Sequence, residues 1–279
     1  MSFASFSDRT LRTRTVLTII GCLTLFAAVF IGAWLYGEKG EVTNLGLRKM
    51  PPNVEHPFGT DWLGRDMLAR TLKGLRISLG VGLTAAGCTS VIALVLGLAA
   101  ATLGKAVDAA VTWLVDVVMA TPHLVLLILI SFACGGGARG VVVAVAASHW
   151  PSLTRVLRAE VLQLRASEYV RLSSQLGRGA LFIATRHMLP HVLPQFMVGL
   201  LLLFPHAILH SAALTFLGFG MSPHSPAVGV LLAESMRSMT IGLWWLAVAP
   251  GAVLVLTVKA FDVLGKNVRT LLDPRTCRE

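Results

Sequence analysis

Two histidines, His206 and His210, have the residue type and spacing that best suit metal chemistry in this sequence. They stand four positions apart in an apolar run, so they share one face if that run is a helix. Pro205 comes directly before them and is expected to open the local backbone. Because neutral imidazole binds nickel, copper and zinc, we predict a weak, transient metal contact at this pair. The alternative is that the pair hydrogen-bonds to a neighbouring helix.

Other reactive side chains give weaker indications. His187 and His191 are also four apart, but they flank Pro190, and we interpret them as packing residues. Four cysteines are scattered without C-x-x-C spacing, which favours packing over a disulfide framework or zinc site: Cys22, Cys88, Cys134 and Cys277. The sequence has no Walker A pattern, catalytic triad or nucleotide-binding fingerprint, so we predict that the chain is not an enzyme.

The composition is that of a membrane protein. Of 279 residues, 55% are hydrophobic and only 14% are charged, which is too little charge to cover a soluble domain of this size. The net charge of +10 fits the excess of Lys and Arg found in cytoplasmic loops. No basic patch with interleaved aromatic residues occurs, so nucleic acid is not an expected partner, whereas membrane lipid is.

Apolar runs of membrane length predict an all-α, polytopic protein with six transmembrane helices. The six runs are 16–36, 77–103, 107–134 with a break at Thr121-Pro122, 140–157, 191–219 with Pro194 and Pro205 inside it, and 241–264. We divide the chain into an N-terminal tail with the first helix (1–37), an extracytoplasmic loop (38–76), a core (77–265) and a cytoplasmic tail (266–279).

The basic residues orient this arrangement. Placing both termini in the cytoplasm also places there the arginines of the N-terminal tail and of the loop that precedes the fifth span. The loop 38–76 is basic too, although it lies outside in this topology. Within it, apolar residues recurring from Thr60 onward predict an amphipathic helix at the membrane interface, capped by Thr60 or Asp61. Residues 220–240 are predicted to be a second polar loop.

The stretch from Glu160 to Pro190 is the longest polar stretch in the second half of the chain. An apolar stripe predicts one helix through Val161, Leu164, Tyr169, Leu172 and Leu176. Gly177 and Gly179 then break this helix, and a second helical run ends at Pro190. A helix, glycine turn and helix form a compact projection that suits docking into a groove of a partner.

At this stretch the sequence resembles the permease subunits of ATP-binding-cassette importers. Glu168-Tyr169-Val170, Ser173, Gly177 and Pro190 match the cytoplasmic loop of that family in the form found in peptide and nickel importers, although Leu172 replaces the usual alanine. Three further motifs are similar: HPFGTDWLGRD at 56–66 with Ala69-Arg70, FLGFG at 216–220, and Leu272-Asp273-Pro274.

The resemblance implies a type I importer permease fold with a cytoplasmic coupling helix. It implies Glu168, Tyr169, Ser173, Gly177 and Pro190 as the contact with the ATPase. The expected partners are a second, homologous permease, two ATPase subunits that carry ATP and Mg, and an extracytoplasmic substrate-binding protein.

Several charged residues keep more than one interpretation. Asp61, Arg65 and Asp66 could receive the binding protein, or they could simply form a solvated, self-capped helix start. Asp116 could line the path, pair with an arginine or lie near the inner interface.

The cargo is predicted from a finer resemblance. Ser148-His149-Trp150 and the run from His206 to His210 resemble the nickel branch of the family, so we expect nickel or another transition metal, free or chelated. The alternative cargo is a dipeptide or oligopeptide. A secondary transporter working alone is less favoured, because no clear internal repeat is visible. A membrane scaffold without transport would not need the glycine-hinged loop.

Overall fold

The computed structural model describes residues 3–36 and 41–272, with side chains for 15–36 and 41–271. Ten α-helices make up the architecture of these residues: α1 Phe3–Leu35, α2 Met67–Thr102, α3 Lys105–Ala120, α4 His123–Ala133, α5 Gly137–Arg165, α6 Glu168–Gln175, α7 Ala180–Ile183, α8 Leu189–Phe216, α9 Val228–Met239 and α10 Trp245–Leu272. Short 3₁₀ and π segments, Leu45–Leu47 and Ala184–Met188, complete the list. The prediction of an all-α chain is confirmed.

Four helical runs are long and apolar enough to cross a membrane: Thr15–Leu35, Met67–Thr102, Ala180–Phe216 and Trp245–Leu271. The pair α3 and α4 meets the same criterion only together, and the two helices are bent by 100° at Thr121-Pro122. The helix α5 has 29 residues, but it is not among the runs that meet the criterion. Four to five of the six predicted spans are therefore supported, and the span at 140–157 stays a prediction.

The helix α2 lies at the centre of the bundle and packs mainly against α5 and α8. Small residues on α2 make this close approach possible: Ala93 and Ala101 are fully buried in a cluster with Leu157 and Val161 of α5. Helix α1 packs against α10 and α2, and the rings of Phe26 and Phe261 stack with centroids 3.8 Å apart.

The prediction of an amphipathic helix beginning at Thr60 is wrong about its first residue. Helix α2 begins only at Met67, and its N-cap is Asp66, whose side chain accepts the N–H of Ala69 at 2.8 Å. The residues before Met67 form tight turns instead of a helix, because Gly59 and Gly64 adopt positive φ angles of 68° and 74°. Neither Thr60 nor Asp61 therefore caps the helix.

Two further boundaries differ from the prediction. Residues 220–240 are not simply a polar loop, since α9 occupies Val228–Met239 with one buried face. Pro190 does not end a helix either, because it is the second residue of α8. The π segment Ala184–Met188 directly precedes it, so the run from Ala180 to Phe216 stays helical throughout.

Candidate functional site

The first candidate site is the projection formed by α6, α7 and the π segment. Helix α5 ends at Arg165, whose Nη1 donates to the carbonyl of Ala101 at 2.8 Å, and a turn at Ala166-Ser167 separates it from α6. The single helix predicted through Val161 and Leu176 is therefore wrong. Two helices meet here at a turn in which the Ser167 hydroxyl donates to the carbonyl of Leu164.

One side of α6 is anchored, and the other side carries exposed apolar residues. Val170 is only 3% exposed and packs in the same cluster as Val161 and Ile183. Leu176 is 82% exposed, and Tyr169, Leu172 and Leu181 are exposed as well. Exposed apolar side chains gathered on a short helix mark a surface for a protein partner.

The remaining coupling residues fix the shape of this projection. The Ser173 hydroxyl lies 3.1 Å from His187 Nε2, and the Tyr169 ring lies with its centroid 5.9 Å from those of His187 and His191. Gly177 adopts a φ of 79°, a left-handed conformation that a side chain would strain. The histidines predicted as packing residues thus brace α6 against the start of α8.

Glu168 and Pro190 complete the predicted set. Glu168 is exposed in the first turn of α6, where a carboxylate interacts favourably with the positive end of the helix dipole. Pro190 is exposed in the first turn of α8, close in sequence to His187 and His191. Contact of these residues with an ATPase stays a prediction.

The second candidate site is the loop before α2, which contains Asp61, Arg65 and Asp66. Asp61 is buried and accepts hydrogen bonds from Arg65 Nε at 2.7 Å and from Arg70 Nη1 at 2.8 Å. Arg70 also donates to Glu234 of α9 at 3.0 Å. Asp66 lies 2.7 Å from His56 Nδ1. These charges bind the loop to α2 and α9, and contact of the loop with a binding protein stays a prediction.

A cavity of about 660 Å³ opens next to this loop. Trp62 of the loop, Glu234 and Arg237 of α9, and the FLGFG segment line it. The FLGFG segment is held in place because Phe219 accepts a hydrogen bond from the Ser131 hydroxyl at 2.7 Å. Gly220 accepts another from the N–H of Gly137 at 2.8 Å. The segment therefore ties the end of α8 to the turn between α4 and α5.

The third candidate site is a cluster of three imidazoles, His123, His149 and His210. The ring centroids lie 4.5 Å apart for His123 and His149, and 4.8 Å apart for each of the other two pairs. One ligand nitrogen from each ring lies within 4.8 Å of the others. All three side chains are half-buried. We call this group the histidine cluster.

The predicted pair His206 and His210 is divided by this arrangement. His206 is one helical turn from His210 but is exposed, and it is not part of the histidine cluster. His123, which the sequence did not single out, takes its place, because the break at Thr121-Pro122 makes it the first residue of α4. In the sequence, the only sign that His123 could matter is that it directly follows the break at Thr121-Pro122.

Ion pairs join α3 to α5. Asp108 accepts from Arg158 Nε at 2.5 Å and from Nη2 at 2.6 Å. Asp116 accepts from Arg155 Nη2 at 2.5 Å. Of the three alternatives for Asp116, pairing with an arginine is the one that this geometry supports.

The motif Leu272-Asp273-Pro274 lies largely outside the described residues, as do Cys277 and the end of the predicted tail. The side chains of the N-terminal arginines are likewise outside the described set.

The chain is similar to known transport proteins over nearly all of its length. Residues 93–278 match the family described as the binding-protein-dependent transport system inner membrane component. A putative peptide transport system permease protein of Brucella suis is 35% identical over 253 residues, covering 91% of this chain and 85% of the relative. The dipeptide transport system permease protein DppC of Bacillus subtilis is 33% identical over 256 residues, covering 92% and 80%. A putative peptide permease of Brucella ovis is 32% identical over 275 residues, covering 98% and 91%.

These matches extend across the core and across the motifs on which the resemblance rested. The relatives are named as peptide permeases, so they do not support a nickel branch. The chain is a multi-pass inner-membrane protein, and it belongs to the family of permease subunits of binding-protein-dependent ABC importers.

Proposed function

We propose that this chain forms half of the translocation path of an ATP-driven importer for dipeptides or oligopeptides. A second, homologous permease forms the other half. The peptide cargo is supported by the names of relatives that align over more than nine-tenths of the chain. The observation that carries the ATP-driven role is the exposed apolar surface of α6, which lies between α5 and α8 in the chain.

The motor lies on other subunits in this proposal. Two ATPase subunits bind ATP and Mg, and each permease seats its α6 in a cleft of one of them. The cytoplasm holds both termini and α6, because that orientation gathers the arginines of the N-terminal tail and of the projection on one side. An external binding protein delivers the cargo on the side of the loop that contains Asp61.

Closure of the motor then acts on two long helices at once. The helix α6 is joined to α5 by the turn at Ala166-Ser167 and to α8 by Gly177, α7 and the π segment. Both α5 and α8 pack on α2 at the centre of the bundle. Displacing α6 therefore biases the packing of the bundle between two states, which is how closure in one subunit opens a path in another.

Substitutions in the projection test this coupling. Gly177→Pro removes the N–H that donates to Ser174 and demands a negative φ where Gly177 has 79°. We expect the assembled importer in proteoliposomes to lose at least about tenfold of its ATP-dependent peptide uptake, while the protein still inserts into the membrane. Glu168→Arg is expected to uncouple as well, because it places a positive charge at the start of α6.

Gly179→Ala is the matched control, since Gly179 has an ordinary φ of −67° and open space where a Cβ would stand. Uptake by this variant should equal that of the unaltered importer. Normal uptake by both Gly177→Pro and Glu168→Arg would remove the coupling role of α6.

A transition metal is the second candidate cargo, and the histidine cluster is the observation that favours it. Competition for the cognate binding protein separates the two. A dipeptide that binds and is taken up supports the first proposal, whereas exclusive binding of nickel or a nickel chelate supports the second.

A further inference from the structure

We propose that His123, His149 and His210 form a binding site for one divalent transition-metal ion within the helix bundle. The three ligands come from three different helices, α4, α5 and α8. The site is distinct from the coupling surface, and it does not depend on whether the transported cargo is a peptide or a metal.

The spacing of the nitrogens suits a metal. His123 Nε2 and His149 Nε2 are 3.3 Å apart. Two nitrogens bound at about 2.0–2.1 Å to a tetrahedral ion are about 3.4 Å apart, so this pair already has the required separation. The His210 nitrogen lies within 4.8 Å of both, so it has to come closer to each by at most about 1.4 Å to reach the same separation.

The surroundings of His149 leave its Nε2 ready to bind an ion. Its Nδ1 lies 3.1 Å from the carbonyl oxygen of Val145 and 3.0 Å from the Ser148 hydroxyl. A carbonyl can only accept, so the tautomer with the proton on Nδ1 donates to Val145 and leaves a lone pair on Nε2 for the cluster. Metal-binding histidines in proteins have this same arrangement, with the second nitrogen donating to a backbone carbonyl.

The ligand set selects the kind of ion. Three neutral imidazoles favour nickel, copper or zinc, whereas magnesium and calcium require oxygen ligands. Three protein ligands also leave at least one coordination position open for water or for a group on a passing molecule. The site therefore fits an ion that can exchange its fourth ligand.

Three imidazoles from three helices converge at one point, with their rings edge to face. A single hydrogen bond between His123 and His149 would satisfy two nitrogens, but it would not require His210 to approach both rings from a third helix. A shared cation accounts for the convergence of all three.

Metal titration of the purified protein tests the site directly. The full chain, purified in detergent with a histidine-free affinity tag, is titrated with Ni²⁺ and with Zn²⁺ by isothermal calorimetry, and with Co²⁺ by visible absorption. We expect one ion per chain and, with Co²⁺, the intense visible bands of a four-coordinate site. His149→Ala should weaken binding at least tenfold, and His123→Gln should do so independently.

His206→Ala is the matched control, since His206 is exposed on the same helix as His210 and lies outside the cluster. The affinity of His206→Ala for Ni²⁺ and Zn²⁺ should equal that of the unaltered chain. Size-exclusion profiles identify any variant that fails to fold, and His123→Gln and His149→Ala provide two separate readings. No saturable binding by the unaltered chain would overturn the proposal. Equal weakening by His206→Ala and His149→Ala would overturn it as well.

Failure of this proposal leaves the ATP-driven role intact, because the titration includes neither ATPase nor transport. Conversely, loss of uptake in Gly177→Pro does not alter the number of ions bound.

Discussion

The buried ion pair between Asp61 and Arg70 makes it possible to measure what holds the outer loop on the helix bundle. The exposed fraction of these side chains is 3% and 5%. The Asp61 carboxylate also accepts a hydrogen bond from Arg65 Nε and two from the backbone N–H groups of Leu63 and Arg65. Asp61→Ala therefore removes four hydrogen bonds and leaves Arg70 with Glu234 as its remaining partner.

The expected loss in the free energy of unfolding follows from the hydrogen bonds that Asp61→Ala removes. Breaking a buried ion pair by removing one member costs about 3–5 kcal/mol, because the other charge stays buried without compensation. Since Arg70 keeps Glu234 at 3.0 Å, we expect Asp61→Ala to cost about 3 kcal/mol, at the lower end of that range. For a chain of this size that corresponds to a fall in Tm of about 6–12 °C.

Glu41→Ala is the matched control. Glu41 also forms an ion pair with a residue of α2, Lys73, but both side chains are substantially exposed. Exposed ion pairs contribute about 0–1 kcal/mol, so the Tm should fall by less than about 4 °C.

Thermal unfolding in one detergent, followed by tryptophan fluorescence, measures both variants under identical conditions. A double-mutant cycle adding Arg70→Met should show that the second change costs much less once Asp61 is absent. Equal shifts in Tm for Asp61→Ala and Glu41→Ala, or full additivity of the cycle, would refute the reasoning.

Two further predictions concern helix packing. Gly74→Ala places a Cβ 2.1 Å from the carbonyl oxygen of Pro226, so it should destabilise the protein by about 1–3 kcal/mol in the same thermal assay. Gly80→Ala on the same helix meets open space and introduces the better helix former, so it should not lower the Tm; a matching loss in Gly80→Ala would contradict the packing argument. Asp108→Asn removes the charge that holds Arg158 through two hydrogen bonds, and we expect a cost of about 1–2 kcal/mol because both side chains are partly exposed. An unchanged Tm in Asp108→Asn would show that this pair does not hold α3 to α5.

The long apolar helices could be predicted from the sequence because hydrocarbon imposes a length on them. The break at Thr121-Pro122 was also predictable, since proline lacks the N–H that would continue α3. Gly177 was identified as a turn from its residue type alone, and its positive φ confirms this. These features depend on local chemistry and on composition.

Features that depend on distant contacts were not predictable in the same way. The helix α9 was taken for part of a loop because the segment 220–240 begins with Pro223 and Pro226, although Val228, Leu231 and Ser235 have the spacing of one buried helix face. The pairing of Asp61 with Arg70 requires the two glycine turns that fold the loop back. The buried face of α9 and the pairing of Asp61 with Arg70 both depend on the packing of α2 against α9, which cannot be predicted from a local sequence pattern.

The histidine cluster shows the same limitation most clearly. His123 joins His149 and His210 only because α3 and α4 are bent by 100°, and the angle of a break cannot be derived from the presence of a proline. The neighbouring pair His206 and His210 had the more evident spacing. Tertiary geometry instead combined His210 with residues 61 and 87 positions earlier in the chain.

The histidine cluster lies between the two helices that extend from the coupling projection. Helix α5 supplies His149 and ends beside α6, and the continuous run from Ala180 to Phe216 supplies His210. That run has 37 residues and is about 55 Å long at 1.5 Å per residue, so it can carry a displacement from the projection to the cluster. A metal site tolerates changes of only about 0.2 Å in its bond lengths.

A small relative movement of α5 and α8 should therefore change the affinity for the ion. We expect the affinity of the assembled importer for Ni²⁺ to differ by about tenfold between the nucleotide-free state and a state trapped with ATP and vanadate. Calorimetry on the two states measures this difference, and Gly177→Pro, which weakens the link between α6 and α8, should reduce it. If the unaltered importer binds Ni²⁺ at the cluster with equal affinity in both states, then α5 and α8 move as one body around the cluster, and the proposed transmission through them is wrong.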